Sequence, residues 1–207
     1  PFACRTRAQN LAAVRQAMAE HNAQWHVVSS LDDIAWLFNL RGSDVPYNPV
    51  FLAHAIIGLT DARLFVSPGK ITPQLVTILQ ADGIAVEPYD LFQGALANLP
   101  SSDKVMFDPS RTAMAAWQQF STHDQVRCLN PSQVLKACKT DAEIENVRRT
   151  MEFDGAALCE FFAWFEASLG HETITELTVD ERLTEARAKQ PNFVSPSFGT
   201  IAAFNAN

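Results

Sequence analysis

Groups able to move protons, hold metals or attack carbonyls are scattered in this sequence rather than gathered. Its histidines are His21, His26, His54, His123 and His171, and no two have the HxH or HxxxH spacing that puts a pair of imidazoles on one metal. His21 and His123 fall near predicted helix C-termini, where a cation suits the dipole, and His54 falls within a predicted strand, in a hydrogen-bonded structural role. Cys4, Cys128, Cys138 and Cys159 form no CxxC, and no GxSxG, GxGxxG or GxxxxGK occurs. Asp32-Asp33 is a carboxylate pair at a helix start, where it compensates the helix dipole. The densest chemistry is Arg41-Gly42-Ser43-Asp44, followed closely by Pro46 and Pro49. An Arg and an Asp flanking Gly-Ser have the charges to bind a peptide carboxylate or amine. The same residues suit a structural corner: Arg41 and Asp44 paired with each other or with nearby backbone, Gly42 at positive φ. Residue types favour the corner.

The elements that hold this corner alternate between strand and helix. Apolar spacing predicts a helix over 9–23 with Leu11, Val14 and Met18 inward, then a strand over 25–29. Ser30 and Asp33 resemble a capping box opening a short helix to Phe38, with Trp36 off its apolar stripe. Strands follow over 50–58 and 62–66, joined as a hairpin by Leu59-Thr60-Asp61. Then come a helix over 71–81 with Leu75, Ile78 and Leu79 inward, and a strand over 84–87. Helix 91–98, strand 104–107, helix 112–120 and strand 125–129 continue the alternation. Such alternation, broken by one hairpin, predicts an α/β layer with a mixed sheet.

The character changes near Asn130-Pro131. Thr140 and Glu143 form a capping box, and Ile144, Val147, Met151, Leu158, Phe162, Phe165 and Leu169 keep one helical stripe up to Gly170, a C′ candidate. Gly155 inside that helix predicts close packing. A second helix spans 178–189, and 194–204 reads as a strand. The expected division is therefore 1–130 and 131–207.

Composition, with 47% apolar and 19% charged residues, is that of a globular chain. A net charge of −7 without a basic block argues against nucleic acid or an anionic membrane as partner. No apolar run approaches the roughly 20 residues of a membrane span. Dispersed cysteines predict reduced thiols and a cytoplasmic location. The chain opens at Pro1 without Met and stops after a strand-like run, so an incomplete product is expected.

Long consecutive stretches carry a resemblance. DDIAWLFNLRGSDVPYNPVFLAHAIIG resembles the middle domain of the three-domain Xaa-Pro aminopeptidases (aminopeptidase P). KACKTDAEIENVRRTMEFDGAAL resembles the linker and first long helix of their catalytic domain, and SPSFGTIAAFNAN its first strand. The resemblance implies a three-layer α/β/α, creatinase-N-like middle domain with a six-stranded mixed sheet, followed by an incomplete α+β pita-bread domain. It implies a metallopeptidase that removes the residue preceding a second-position proline, with two divalent metals, usually manganese. The ligand set, two Asp, one His and two Glu, is expected after Asn207, so no metal is expected on this chain and no catalytic residue within it. The chain alone is expected to be inactive; the full-length protein is expected to be a homodimer acting on peptides. Phe198 matches a position that is Tyr in some bacterial relatives and becomes a substrate-pocket wall, with Thr200 and Phe204 alternating beside it. A non-catalytic pita-bread relative that binds peptide or protein is the alternative; a creatinase-like amidinohydrolase fits the corner less well.

Overall fold

The computed structural model describes residues 2–204, in two compact units. The sheet unit holds residues 3–44 and 49–139. The helical unit holds Phe2, Val45–Asn48 and the residues from Thr140 on. In order, the sheet unit contains α1 (Arg7–Glu20), β1 (Trp25–Val28), α2 (Leu31–Phe38), β2 (Ala53–Gly58), β3 (Ala62–Val66), α3 (Pro73–Ala81) and β4 (Ile84–Pro88). After a 3-10 turn at Tyr89–Leu91 come α4 (Phe92–Ala97), β5 (Val105–Phe107), α5 (Met114–Gln119), β6 (Gln125–Arg127) and α6 (Pro131–Ala137).

The strands form one six-stranded sheet in the order β4-β3-β2-β1-β5-β6. β1–β2 and β2–β3 are antiparallel; β3–β4, β1–β5 and β5–β6 are parallel. Period-two alternation divides the side chains between two cores. Val28, Ala55, Ile57, Leu64, Val66 and Met106 face Leu11, Val14 and Met18 of α1, Ile34, Leu37 and Phe38 of α2, and Leu79 of α3. Val27, Ile56, Phe65, Val105 and Phe107 face Phe92, Ala95 and Leu96 of α4 and Ala116 and Phe120 by α5. Helices cover both faces, giving the three-layer α/β/α architecture.

Local chemistry explains the helix ends. Thr6 and Gln9 close a reciprocal capping box on α1, and Thr72 caps α3 with Pro73 at the first helical position. α2 stops where Asn39 turns left-handed at φ 49°. Three sequence expectations fail here. Ser30 makes no cap bond to backbone; its hydroxyl donates to the Asp33 carboxylate instead. Ile78 is exposed, because the narrow face of α3 turned to the sheet is filled by Leu75 and Leu79. Between Asn130 and Thr140, where no helix was predicted, Pro131 starts α6: a proline at the first helical position forfeits no hydrogen bond.

The helical unit contains α7 (Asp141–Ser168) and α8 (Glu176–Ala188). Thr140 and Glu143 form the reciprocal box that starts α7, and Gly170, at φ 78°, follows its end. Its core is small: Ala157, Phe161 and Ala186 are buried, with Trp164, Phe165, Val179 and Leu183 around them. The Arg187 guanidinium donates to both oxygens of Asp154 (2.7 and 3.4 Å), tying α8 to α7.

Of the predicted α7 stripe, Phe165 packs in this core and Leu158 is half-buried. Ile144, Val147, Met151, Phe162 and Leu169 are exposed, and the α7 residues packed with α8 are Ala157, Phe161, Trp164 and Phe165. Periodicity identified an apolar helix; the position of α8 decided which face is covered. Gly155 has no atom within 4 Å of where a Cβ would stand, so close packing does not explain it. Residues 194–204 form no strand: no ladder partner lies beside them among the described residues, and Val194 and Ile201 are 89% and 90% exposed.

Candidate functional site

In α/β sheets ligands favour the crevice outside the carboxyl ends of parallel strands. Here the carboxyl ends of β1, β5 and β6 deliver Ser30, Asp108 and Asn130 to one place. Asn130 Nδ2 donates to Ser30 Oγ (3.0 Å) and Asp33 Oδ2 (3.1 Å), while Lys136 Nζ on α6 donates to Asp33 Oδ1 (3.0 Å) and pairs with Asp32. Asp108 accepts from the Ser110 N–H (2.9 Å), the Ser110 hydroxyl (2.6 Å) and the Asn130 N–H (3.3 Å). Burial pushes the Asp32 and Asp108 carboxyls up, but their hydrogen bonds outweigh it and hold both below the ordinary range: Lys136 for Asp32, Ser110 and Asn130 for Asp108. Asp33 is therefore more than dipole compensation; it is fully buried and joins α2 to α6. Asp32, Asp33 and Asp108 are each engaged by hydrogen bonds or ion pairs, and the cluster works as a brace between α2, α6 and the strand ends.

Two histidines sit in the sheet. His26 is fully buried, with Nδ1–H donating to Met106 O (3.2 Å) and Nε2 without a hydrogen-bond partner. A carbonyl only accepts, so the proton lies on Nδ1. Burial pushes its pKa down to about 4, against the small upward pull of that bond and of Asp33 and Asp108. His54 bonds Ser29 Oγ (2.9 Å), stacks on Phe92 at 4.0 Å and is also lowered by burial.

The corner is a tongue. Gly42 N–H donates to Pro49 O (3.3 Å), Asp44 N–H to Val50 O (3.1 Å) and Asn48 N–H to Val45 O (3.2 Å), where Val45 and Asn48 form an isolated bridge. Arg41 and Asp44 do not pair with each other. Arg41 Nη1 donates to Ala35 O and Leu40 O (both 2.9 Å), closing the end of α2. Asp44 accepts from the Leu52 N–H (2.7 Å) and pairs with Lys70; the Lys70 bond, then the Leu52 one, holds its carboxyl below the ordinary range. Ser43 is exposed. Gly42 is not at positive φ, contrary to expectation; a Cβ there would stand 2.6 Å from Phe51 Cβ, so glycine is needed for clearance. The positive φ belongs to Tyr47, at 64°, in a Val45-Pro46-Tyr47-Asn48 turn. A non-glycine residue there costs about 1–3 kcal/mol. Nothing in the sequence reading singled out Tyr47. The available signal was a proline at the second turn position followed by neither Gly nor Asn.

Phe198 and Phe204 are exposed and Thr200 is half-buried. With no strand at 194–204, strand alternation does not place these three side chains on one face. Within the helical unit Tyr47 meets this segment: a Cβ on Gly199 would stand 3.4 Å from Tyr47 Oη and 3.7 Å from Cζ. A shallow cleft between α7 and α8, lined by Glu160, Phe161, Trp164, Arg182, Glu185 and Lys189, has its charges already paired, Lys189 with Glu160 and Arg182 with Glu185.

Among the described residues no group of three or more His, Cys, Asp or Glu side chains is placed to hold a metal ion, so the residues present do not fit a dinuclear centre. Among the same residues, no helix is long and apolar enough to cross a membrane. Asn205, Ala206 and Asn207, which end the family-like stretch, lie outside the described residues.

The family model for the creatinase/prolidase N-terminal domain matches residues 1–143. Xaa-Pro aminopeptidase 1 of Dictyostelium discoideum is 36% identical over 203 residues, covering 96% of this chain and 32% of the relative. The probable Xaa-Pro aminopeptidase P of Podospora anserina is 34% identical over 220 residues, covering 100% and 32%. In structure, the X-prolyl aminopeptidase of Caenorhabditis elegans, a cytosolic enzyme with a di-nuclear active site, superposes with a TM-score of 0.89 at 25% identity, over 98% of this chain and 34% of that one. The Xaa-Pro dipeptidase of Bacillus anthracis shares the fold, with a TM-score of 0.63 at 12% identity over 89% and 49%. The chain thus spans about a third of the length of the curated relatives it matches.

Proposed function

The chain belongs to the creatinase/prolidase N-terminal domain family, and from that premise we propose that it is the scaffold portion of a cytoplasmic Xaa-Pro aminopeptidase. That enzyme removes the first residue from peptides whose second residue is proline. The observation that carries the reading is the 36% identity maintained over 96% of the chain with a protein named for that activity. Superposition on an enzyme with a di-nuclear active site supports two divalent metals, of which manganese is the proposed pair. When bound, such metals polarise the scissile carbonyl and supply a hydroxide; their ligands come from outside the residues described. This chain's own contribution is positional. Residues 1–130 are the proposed middle domain and 131–207 the opening of the catalytic one, with Phe198, Thr200 and Phe204 on the wall of the peptide site. The full-length protein is proposed to be a homodimer.

The test is release of the first residue from Xaa-Pro peptides by the full-length protein with added manganese, beside the 207-residue chain alone. Manganese-dependent release by the former and none by the latter is the expected result. Turnover by the short chain would overturn the scaffold assignment. A full-length protein that binds such peptides without cleaving them would replace the enzyme reading with that of a peptide-binding module.

A further inference from the structure

The tip of the tongue holds a residue its backbone does not favour. In a turn with Pro46 second and Asn48 N–H closing onto Val45 O, as in a type II turn, the third position takes φ above zero and favours Gly or Asn. This chain has Tyr47 there, at φ 64°. Core packing does not account for it, since Tyr47 is 49% exposed. Its hydroxyl and ring edge lie over Gly199, within ordinary van der Waals range (3.4–3.9 Å) of where a Cβ there would stand, and Gly199 is flanked by Phe198 and Thr200. At the base of the tongue, within the sheet unit, Arg41 bonds the end of α2 and Asp44 bonds Leu52 and pairs with Lys70. A costly backbone state on an exposed aromatic, beside Phe198 and Thr200, which the proposed function puts on the peptide-site wall, points to a side chain kept for what it contacts in the bound state.

We propose that Tyr47 is a substrate-contacting residue: its ring packs against the proline ring of the bound peptide, and its hydroxyl offers the peptide backbone a hydrogen bond. The proposal rests on the aminopeptidase reading above. It implies that the Val45–Asn48 turn serves recognition.

In the full-length enzyme, Tyr47→Asn and Tyr47→Gly remove the ring while suiting a positive φ, so melting temperature is expected to hold or rise. KM for a peptide with proline second is expected to rise at least about tenfold in both, with a smaller change in kcat, as for lost binding contacts. Tyr47→Phe is expected to keep KM within about threefold of wild type, because the ring remains. A folded Asn or Gly variant with kcat/KM within about twofold of wild type overturns the proposal while leaving the aminopeptidase reading intact. A Phe variant as impaired as the Asn variant overturns the ring contact. Wild type without turnover overturns the aminopeptidase reading, and this proposal with it.

Discussion

The sheet unit and the helical unit begin from the same sequence signals and end with different interiors. Both start helices with Thr capping boxes, Thr6–Gln9 and Thr140–Glu143, and both space apolar residues at helical period. In the sheet unit that spacing is cashed in as burial, because a sheet lies under α1 and α2 and a second helical layer under β3 and β5. In the helical unit the buried residues of α7 lie against α8, and Ile144, Val147 and Met151 along its first half are exposed. Local chemistry starts an element; a second layer decides what its apolar residues contribute.

Deleting one apolar side chain from each unit gives the widest separation. Phe65 is fully buried against Phe92 (5.4 Å between ring centroids), so Phe65→Ala is expected to cost about 3–5 kcal/mol. Met151 is 60% exposed, and Met151→Ala is expected to change stability by less than about 0.5 kcal/mol. Amide exchange read separately in β3 and α7 measures each unit by itself. Equal losses at the two sites would end the distinction.

Acid tests the same contrast through one proton. His26 has a folded pKa of about 4, lowered from 6.5 chiefly by burial. The unfolded chain therefore binds more protons between those values, and stability must fall as pH drops through 6.5 towards 4. A shift of that size corresponds to about 3 kcal/mol, read in the exchange of β1 and β5 amides. His26→Gln, which cannot take the charge, should flatten the slope in that window. The depressed Asp32 and Asp108 carboxyls act elsewhere: their contributions are lost only as pH falls through their lowered folded values. A slope unchanged in His26→Gln would assign the acid sensitivity to another group.

The sheet was legible in the sequence because its residues report a local period: Val27 and Val28, or Leu64 and Phe65, alternate between cores whatever else the chain does. The corner was legible as a corner but not in mechanism. That Gly42 must clear Phe51 depends on a neighbour nine residues away, and that Arg41 serves α2 depends on where α2 stops. The brace of Asp33, Asn130 and Lys136 joins residues up to 103 apart in sequence, a distance no spacing rule spans. Tyr47 was missed for the opposite reason: its signal is local but negative, the absence of Gly or Asn from a turn position that favours them.

The smallest effect isolates what the two units share. Thr6 accepts the Gln9 N–H at 3.2 Å and Thr140 the Glu143 N–H at 3.3 Å, and in each case the third-position side chain returns a bond to the cap backbone at 2.8 Å. Thr6→Ala and Thr140→Ala remove equivalent bonds, and each is expected to cost about 1 kcal/mol. If caps act locally, the two losses agree within about 0.5 kcal/mol although the interiors behind them differ, because independent local contributions are unaffected by distant packing. Exchange at the first turns of α1 and α7 reads both. A Thr6→Ala cost several times that of Thr140→Ala would mean that a cap is amplified by the layer its helix rests on, and the division between local starts and layered burial would have to be redrawn.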